Sequence, residues 1–350
     1  MRTHAHRPPR RALPLLLLAA LLALGGFVGG LGLAPRPATA VTPGKNGRIA
    51  AMRDDGAGYH IVTMTAKGKQ VRWVTNGAWD FWPRWSPDGT TILFRRDWDL
   101  WAVSAAGGSP TNLTRSAVYE YGAAWSPDGT RIAYVRDDDV WTMLADGSDQ
   151  RRLLRPGVGA WFFVDWSPDG RHLALDATSG STVQVWTVDA DGRNLAQRTG
   201  GDSASYQPRW SPDGTRIAFA RDGDVWTMNA DGTDPRNLTN TPNVWESGPA
   251  WSPDGKRVLF ARQDSGGGCQ GLATVPANGG KAKAVPKTAG TCLWAPDWQA
   301  KPKKGKGKAK PADAAQPAAV AQPGHAAKAG HGAKPGGHHA KPAGHRRAAR

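Results

Sequence analysis

The most regularly spaced acidic residues of the chain stand in a repeated Ser-Pro-Asp-Gly tetrapeptide. Five aspartates share this place: Asp88, Asp128, Asp169, Asp213 and Asp254. Equal spacing suggests a ring of metal ligands, but an Asp that follows Pro and precedes Gly ordinarily accepts hydrogen bonds from its own turn. Residues 189–192 (DADG) resemble a calcium loop but lack its ligand spacing. We therefore predict turn-forming aspartates, no metal site and no cofactor.

A second set of charged residues comes just before the Trp that precedes each tetrapeptide. A last Trp, Trp298, has the same kind of neighbour. Listed with this last one first, the residues before the tryptophans are Asp297, Arg84, Ala124, Asp165, Arg209 and Ala250. The order Asp-Arg-Ala occurs twice, which predicts one ion pair between Asp297 and Arg84. The second occurrence predicts another between Asp165 and Arg209, because a buried charge requires a partner. The alternative is a polar gate that binds a ligand.

The 17 tryptophans separate into repeated and unrepeated ones. Ten recur at fixed places and are predicted to pack in the core: Trp85, Trp101, Trp125, Trp141, Trp166, Trp186, Trp210, Trp226, Trp251 and Trp298. Most of the others, with nearby Tyr and Phe, fall in or beside connections on one side of the repeat. The candidate ligand-binding residues are Trp79, Trp82, Trp98, Tyr121, Trp161, Phe162, Tyr206, Trp245 and Trp294. Aromatic side chains on a surface recognise proteins, peptides and sugars; alternatively, these rings are strand ends packed beneath the loops.

Few ionisable side chains accompany these aromatic residues. Asp80, Glu120 and Glu246 are scattered among the predicted loops and do not form the close acid and base that general acid–base catalysis needs. The G-x-S-x-G elbow of an α/β-hydrolase does not occur in the sequence. We predict no catalytic residue, and the alternative is a lyase or hydrolase that acts on carbohydrate or peptide.

All of these residues must be positioned by the elements of one repeat. The pentapeptide WSPDG begins at Trp85, Trp125, Trp166, Trp210 and Trp251, at spacings of 40, 41, 44 and 41 residues. That period is typical of a four-stranded propeller blade. Alternating apolar and polar residues between Asp-Gly turns predict four strands in each unit. An array of such units exposes unpaired strand edges unless it closes into a ring.

The two ends of the repeat predict how the ring closes. Residues 46–75 match the repeat but lack its opening strand, and residues 291–298 match the opening strand alone. We therefore predict an all-β, six-bladed β-propeller over residues 41–300, closed by a 3+1 blade. In each blade of strands a to d, the a–b and c–d turns lie on one face, called the turn face. The b–c and d–a connections lie on the other, called the loop face.

The two cysteines test this arrangement. Cys269 falls in the last b–c connection, and Cys292 opens the closing strand, so both are expected on the loop face near the closure. An exported chain with an even, small number of cysteines favours a disulfide between them.

The repeated units, written WSPDG…IAF…DVWTMNADG…NLT, resemble the WD40-like PD40 repeats of TolB-type six-bladed β-propellers over residues 46–298. The resemblance implies the fold but not an activity, because propellers host many activities. In TolB an α/β domain precedes the propeller. Residue 41 leads almost directly into the first blade, so a Tol–Pal role is not predicted.

The charge of the chain is concentrated at its ends. Of the net charge of +16, residues 1–40 contribute five Arg and no acid, residues 301–350 contribute twelve Lys/Arg and one Asp, and the middle is neutral. A neutral middle excludes a basic nucleic-acid-binding fold. Residues 1–40 are typical of a signal peptide cleaved after Ala40, with an uncleaved anchor as the alternative. Residues 301–350 are predicted to be a disordered Lys/Ala/Pro/His-rich tail that binds anionic envelope polymers.

Together these features predict a secreted or cell-envelope protein that acts without catalysis. Its expected role is binding or scaffolding, as a monomer, with a protein, peptide or glycan held on the aromatic side of the propeller. Specific nucleic-acid binding is not expected.

Overall fold

The computed structural model describes residues 44–77, 79–155 and 160–301, with backbone alone at residues 160–162. Within these ranges every regular element is a β-strand, and 24 strands form six four-stranded sheets. The innermost strands of successive sheets contact one another in a closed ring. The all-β, six-bladed propeller predicted from the repeat is therefore confirmed. Both the predicted signal peptide and, apart from Lys301, the predicted basic tail lie outside the described residues.

Strands a to d run from the innermost to the outermost strand of each blade. Strands b, c and d of blade 1 are β1 (Lys45–Asp54), β2 (Tyr59–Thr65) and β3 (Arg72–Trp73). Blade 2 consists of β4 (Asp80–Trp85), β5 (Thr91–Arg96), β6 (Asp99–Ser104) and β7 (Thr111–Asn112). Blade 3 consists of β8 (Glu120–Trp125), β9 (Arg131–Arg136), β10 (Asp139–Leu144) and β11 (Arg151–Leu154).

The second half of the ring repeats this order and then returns to blade 1. Blade 4 consists of β12 (Ala160–Trp166), β13 (His172–Ser179), β14 (Thr182–Asp189) and β15 (Ala196–Gln197). Blade 5 consists of β16 (Ser205–Trp210), β17 (Arg216–Arg221), β18 (Asp224–Asn229) and β19 (Arg236–Asn237). Blade 6 consists of β20 (Val244–Trp251), β21 (Arg257–Asp264), β22 (Cys269–Pro276) and β23 (Lys283–Ala284). The last strand, β24 (Leu293–Lys301), pairs with β1 as strand a of blade 1, which is the predicted 3+1 closure.

The Ser-Pro-Asp-Gly turns between strands a and b are built by their own side chains. In blade 2, Ser86 Oγ donates to Asp88 Oδ1 at 2.6 Å, and the backbone N–H of Thr90 donates to the same oxygen at 3.0 Å. Gly89 adopts a φ of 70°, which a residue with a Cβ adopts only at a cost. The Ser–Asp bond recurs at 2.6 Å in the equivalent turns of blades 3 to 6. The repeated aspartates are thus held by the turns themselves.

The hydrophobic core lies between neighbouring blades. Leu93 and Leu100 of blade 2 pack with Ile132 of blade 3 in one buried cluster. Ile49 of blade 1 packs with Leu259 of blade 6 in another, across the closure. Because each blade buries its faces against its neighbours, no blade has a complete core by itself. In the described residues, no helix is long and apolar enough to cross a membrane.

A disulfide joins blade 6 to the closing strand. Cys269 begins β22 and Cys292 immediately precedes β24, and the two Cα atoms are 4.9 Å apart. The structure thus bonds the two cysteines for which the sequence predicts a disulfide. With a sequence separation of 23 residues, such a bond stabilises the folded chain by about 3 kcal/mol, mainly by restricting the unfolded state.

Candidate functional site

The four charged residues that precede the repeat tryptophans meet at the axis of the ring. We call them the axial network: Arg84, Asp165, Arg209 and Asp297. Arg84 is in close contact with Asp165, and its Nε lies 3.8 Å from Asp297 Oδ1. Arg209 Nη1 lies 3.7 Å from Asp165 Oδ1 and 3.5 Å from Asp297 Oδ1. Both ion pairs predicted from the sequence are present, Arg84 with Asp297 and Arg209 with Asp165. They are not separate, because all four positions converge on one narrow axis and form a single network.

Each aspartate of the axial network also links its blade to the next one. Asp297 Oδ2 accepts the backbone N–H of Trp85 at 2.8 Å, and Asp165 Oδ2 accepts that of Trp210 at 2.8 Å. The four charged side chains are only 10% to 15% exposed, and burial disfavours their ionised forms. Burial raises the pKa of Asp165 to about 6, although Arg84 acts in the opposite direction. Burial raises the pKa of Asp297 as well.

A recess of about 210 Å³ adjoins the axial network on the turn face. Its walls carry repeat tryptophans and prolines: Trp125, Trp166, Trp210, Trp251, Trp298, Pro87, Pro127, Pro168, Pro212 and Pro253. The tryptophans that the sequence places in the core do pack there, since Trp251 and Trp298 are buried and Trp125, Trp166 and Trp210 pack against core clusters. The same rings also line the recess. Each Trp lies at or near the turn-face end of an inner strand, so the ring brings it to the rim of the axis. Trp125, Trp166 and Trp210 remain half-buried there.

Toward the loop face, side chains from the inner strands close the axis. Trp82 of blade 2 meets Phe163 of blade 4 edge to face, with ring centroids 5.3 Å apart. Gln207 lines the same layer, and its Oε1 accepts the backbone N–H of Gly248 at 2.7 Å. The cavity left in this layer measures about 10 Å³. The recess on the turn face is therefore closed at its inner end and does not continue to the loop face.

Aromatic rings of blades 1 and 2 form a surface on the loop face. The rings of Tyr59, Trp79 and Phe81 lie 5.3 to 6.3 Å from one another. Phe81 continues this contact to Trp82 at 5.9 Å. Trp79 is about half exposed, so the surface is accessible from solvent.

A second pair of rings stands beside the first group. Trp98 and Tyr119 pack edge to face at 4.2 Å, and each is about half exposed. Arg95 connects the two groups, because its guanidinium carbon lies 4.7 Å from the ring centroid of Trp82 and 4.9 Å from that of Trp98. We call the six rings the aromatic platform: Tyr59, Trp79, Phe81, Trp82, Trp98 and Tyr119.

The predicted ligand-binding residues do not all belong to this platform. Trp79, Trp82 and Trp98 do, whereas Trp245 is 57% exposed on blade 6 and packs against Gly223. Tyr121, Tyr206 and Trp294 are half-buried within inner strands, as is Trp82. For Tyr121, Tyr206 and Trp294 the alternative of packed strand ends is the better description, whereas Trp82 contacts both the platform residue Phe81 and the axial residue Phe163. The side chains of Trp161 and Phe162 lie outside the described residues.

Sequence reasoning missed Arg95, although a signal was present. Arg95 stands at a strand-b position that is apolar in most other blades. A charge at an otherwise apolar repeat position is therefore the feature that would have identified it.

The carboxylates that the sequence analysis placed in loops are buried in the inner strands. Asp80 Oδ1 and Oδ2 accept hydrogen bonds from Arg96 at 2.6 and 2.9 Å. Glu120 Oε1 accepts one from Arg136 Nε at 2.8 Å. Burial raises the pKa of Glu120 and of Glu246. These carboxylates pair with arginines of strand b, and within the described residues no three His, Cys, Asp or Glu side chains gather to hold a metal ion.

Comparison with known proteins agrees with the fold. Residues 137–302 match the family model described as the TolB β-propeller domain, PD40. Over these residues the chain is similar to TolB-type β-propellers. The Tol-Pal system protein TolB of Anaeromyxobacter dehalogenans is 34% identical to it over 83 residues, which is 23% of this chain and 19% of that protein.

Two solved structures resemble this propeller. TolB from Acinetobacter baumannii aligns with a TM-score of 0.56 at 18% identity and covers 72% of this chain and 66% of its own. A putative TolB from Agrobacterium tumefaciens aligns with a TM-score of 0.58 at 20% identity, over 71% of this chain and 91% of its own. Identities this low show a shared fold alone. The chain spans only about a fifth of the curated TolB relative it matches.

Proposed function

We propose that this six-bladed propeller is a non-catalytic binding or scaffold protein of the cell envelope. Its ligand is a protein, peptide or glycan that contacts the aromatic platform. The observation that supports this proposal is the exposure of Trp79, Trp98 and Tyr119, each about half exposed on one face. Clustered aromatic surface of this kind is characteristic of recognition sites. Rigid rings also supply contact area at low conformational cost.

The alternative function, a lyase or hydrolase acting on carbohydrate or peptide, has less support. General acid–base chemistry needs a group within hydrogen-bond reach of the substrate. Asp80 and Glu120 are instead fully buried and held in ion pairs with Arg96 and Arg136. The axial network is likewise engaged in its own ion pairs and in backbone hydrogen bonds.

A glycan and peptide array tests the proposal directly. The wild-type protein is expected to bind at least one ligand saturably without releasing products. The double variant Trp79→Ala/Trp98→Ala is expected to weaken binding by about 1000-fold, since aromatic hot-spot residues contribute about 2 kcal/mol each. Trp73→Ala is the matched control, because Trp73 is about half exposed on strand d of blade 1, outside the platform. Unchanged binding in the double variant contradicts the platform, and released products support the enzyme.

The envelope location rests on the two ends of the chain. We propose that residues 1–40 direct export and that the basic residues 301–350 retain the protein on anionic polymers. Such retention is electrostatic, so molar salt is expected to release the full-length protein from cell envelopes. A variant lacking residues 302–350 is expected to be found in the soluble fraction without salt. Equal retention of both forms contradicts a role for the tail.

A further inference from the structure

The turn face of blade 1 differs from that of the other blades because the ring closes there. Strands a and b of this blade come from opposite ends of the propeller, so they are not joined by a Ser-Pro-Asp-Gly turn as in blades 2 to 6. A cleft of about 620 Å³ opens beside the two strand ends, and the described residues that line it include no carboxylate. We call it the cationic cleft, after the four charged side chains in its lining: Arg48, Lys67, Lys69 and Lys301.

The c–d turn of blade 1 carries a lysine where the repeat carries an acid. Strands c and d pair in the same register in blades 1, 3, 4 and 5, so Lys67 stands at the place of an aspartate in the other three. Each aspartate accepts the backbone N–H two residues further on, at 2.9 to 3.1 Å. In blade 1, Thr65 Oγ1 accepts the N–H of Lys69 at 3.1 Å instead. The turn is therefore closed without the exposed side chain of Lys67. The three replaced aspartates are Asp146, Asp191 and Asp231.

Arg48 lacks the carboxylate that its equivalent has in blade 3. Arg131, at the same place of strand b, forms a salt bridge with Asp149 at 2.7 Å. In blade 1 the place of Asp149 is taken by Gln70, and among the described residues no carboxylate forms a salt bridge with Arg48. Burial and the nearby charge of Arg72 both lower the pKa of Arg48. The positive charge of this turn is therefore not neutralised by the blade itself.

Two further lysines face each other across the closing strands. Lys45 of β1 is directly opposite Lys301 of β24 in the antiparallel pairing, and both side chains are exposed. Like charges at opposed positions destabilise a sheet. With the exposed Lys67 and Lys69, four ammonium groups thus stand on one part of the turn face. The folded chain holds them together against their repulsion, which an anionic ligand would relieve.

We propose that the cationic cleft binds a polymer of phosphodiesters, whose successive phosphate groups are held by Lys67, Lys69 and Lys301. This site lies on the opposite face from the aromatic platform and goes beyond the proposed function. It belongs to the folded ring, whereas the proposed retention on anionic polymers rests on the sequence of residues 301–350. The cleft is several times larger than one phosphate group, so it accommodates consecutive groups of a chain. Release of the counterions that such a chain carries favours binding.

The hydrogen bonds of Arg48 favour phosphate over carboxylate. Its Nη2 donates to the backbone oxygens of Thr63 and Gln70 at 2.9 and 2.6 Å, which uses both hydrogens of that nitrogen. Its Nε donates to Thr63 Oγ1 at 3.2 Å. The paired donors that an arginine offers to a planar carboxylate include Nη2, so this fork is occupied. The remaining cations of the cleft are lysines, which bind phosphate as point charges.

The lining of the cleft also favours a polymer without bases over a nucleic acid. None of the described residues that line it is aromatic. Proteins that bind single-stranded nucleic acid stack the bases on aromatic side chains. A short chain of glycerol phosphate units carries the phosphodiesters without the bases and is therefore the probe of choice.

The test measures binding of a fluorescent glycerol phosphate oligomer to the full-length protein by anisotropy, over a range of salt concentrations. Each lysine–phosphate contact contributes about 0.7 to 0.9 to the slope of log K against log salt. The double variant Lys67→Gln/Lys69→Gln is therefore expected to lower this slope by about 1.5 and to weaken binding by about 30-fold at about 0.1 M salt. Lysine acylation read by mass spectrometry locates the contact. The oligomer is expected to slow acylation of Lys67 and Lys69 and to leave that of the exposed Lys281 of blade 6 unchanged.

A charge-matched control lies on blade 4, across the ring. Arg171→Gln/Arg193→Gln removes two exposed cations from the turn face, and Arg193 stands at the place of Lys69. Arg193 is, however, paired with Asp191 at 3.5 Å, so this variant is expected to bind like the wild type.

A further variant restores the acid that blade 3 has at this turn. Gln70→Asp gives Arg48 the partner that Arg131 has in Asp149. It is expected to weaken binding of the oligomer while raising the midpoint of thermal unfolding by about 1–2 °C. Opposite effects on binding and stability distinguish a binding site from a structural cluster.

Several outcomes overturn the inference. It is wrong if Lys67→Gln/Lys69→Gln binds the oligomer as the wild type does, or if the blade 4 control weakens binding equally, since binding then follows net charge alone. It is also wrong if polygalacturonate or an oligonucleotide of equal charge binds more tightly through these lysines. Binding to phosphatidylglycerol vesicles without binding to the oligomer would make the partner a lipid surface and contradict the polymer. Each of these results leaves the aromatic platform intact, because Trp79→Ala/Trp98→Ala is expected to bind the oligomer like the wild type.

Discussion

Blades 2 and 5 are built on the same backbone register but use it differently. In both, the first residue of strand a pairs with the last arginine of strand b, which is Asp80 with Arg96 in blade 2 and Ser205 with Arg221 in blade 5. In both, the arginine also lies over a phenylalanine and a tryptophan of its own blade. The shared geometry shows that this stacked arginine belongs to the scaffold.

The two blades differ where blade 2 departs from the repeat. Arg95, Trp98 and Trp82 of blade 2 stand at the places of these blade 5 residues: Ala220, Gly223 and Gln207. Blade 5 folds with a small side chain or a glycine at two of the three places. The repeat therefore does not require Arg95 and Trp98, whose contribution we seek in binding, whereas Trp82 also packs against Phe163 at the axis.

The largest difference in stability between the two blades is expected from removing the strand a partner of the stacked arginine. Asp80→Ala leaves Arg96, only 15% exposed, without its buried partner, and is expected to lower the free energy of unfolding by about 3–5 kcal/mol. Ser205→Ala removes one hydrogen bond, that from Arg221 Nε at 2.7 Å, and is expected to cost about 1–2 kcal/mol. Urea denaturation at neutral pH measures both. Equal losses would show that the two blades use this pair in the same way.

The arginines that the two blades contribute to the axial network differ in how closely they approach Asp165. Arg84 is in close contact with Asp165, whereas Arg209 lies 3.7 Å from it. At pH 8, Arg84→Ala is expected to cost about 2–4 kcal/mol and Arg209→Ala about half as much, because only the first leaves Asp165 without a close partner. Thermal and urea unfolding of both variants provide the measurement.

The free-energy cost of Arg84→Ala is expected to depend on pH, because Asp165 titrates in the accessible range. The pKa of Asp165 is about 6 in the folded protein and about 3.9 in an unfolded chain. The native state therefore binds the proton more tightly, so the stability that protonation of Asp165 contributes is present below about pH 4 and is lost as the pH rises through about 6. Arg84→Ala is accordingly expected to cost less at pH 5 than at pH 8. A cost that does not change with pH would show that Asp165 is not the group left unpaired.

The smallest effect is expected from exchanging the turn residues of the two blades. Gly223→Trp forces an indole into positive φ and is expected to cost about 1–2 kcal/mol. Trp98→Gly relieves the same strain in blade 2 but loses the contact with Tyr119, so its net change is expected to stay below about 1 kcal/mol. Differential scanning fluorimetry compares the two midpoints. If Trp98→Gly destabilises more than Gly223→Trp, Trp98 is a packing residue and its role in binding loses support.

Most of the fold could be predicted from the sequence because its determinants are local and repeated. The Ser-Pro-Asp-Gly turn depends on side chains two to five residues apart, as the bonds of Asp88 to Ser86 and Thr90 show. The incomplete first repeat and the isolated last strand predicted a closed ring, since an open one leaves strand edges unpaired. The positions of the two cysteines followed from that topology.

The candidate site could be predicted only in part, because it depends on which blades face one another. Arg84 and Asp165 are 81 residues apart in sequence, and only the size and tilt of the closed ring bring them into contact across the axis. The same closure turned repeat tryptophans into the walls of a recess and separated exposed rings from half-buried ones. By itself, therefore, the sequence determined the blades and their order through short-range turn chemistry and periodicity. Tertiary structure alone decided which charges pair and which rings surround Arg95, because those contacts join residues that no local interaction holds together.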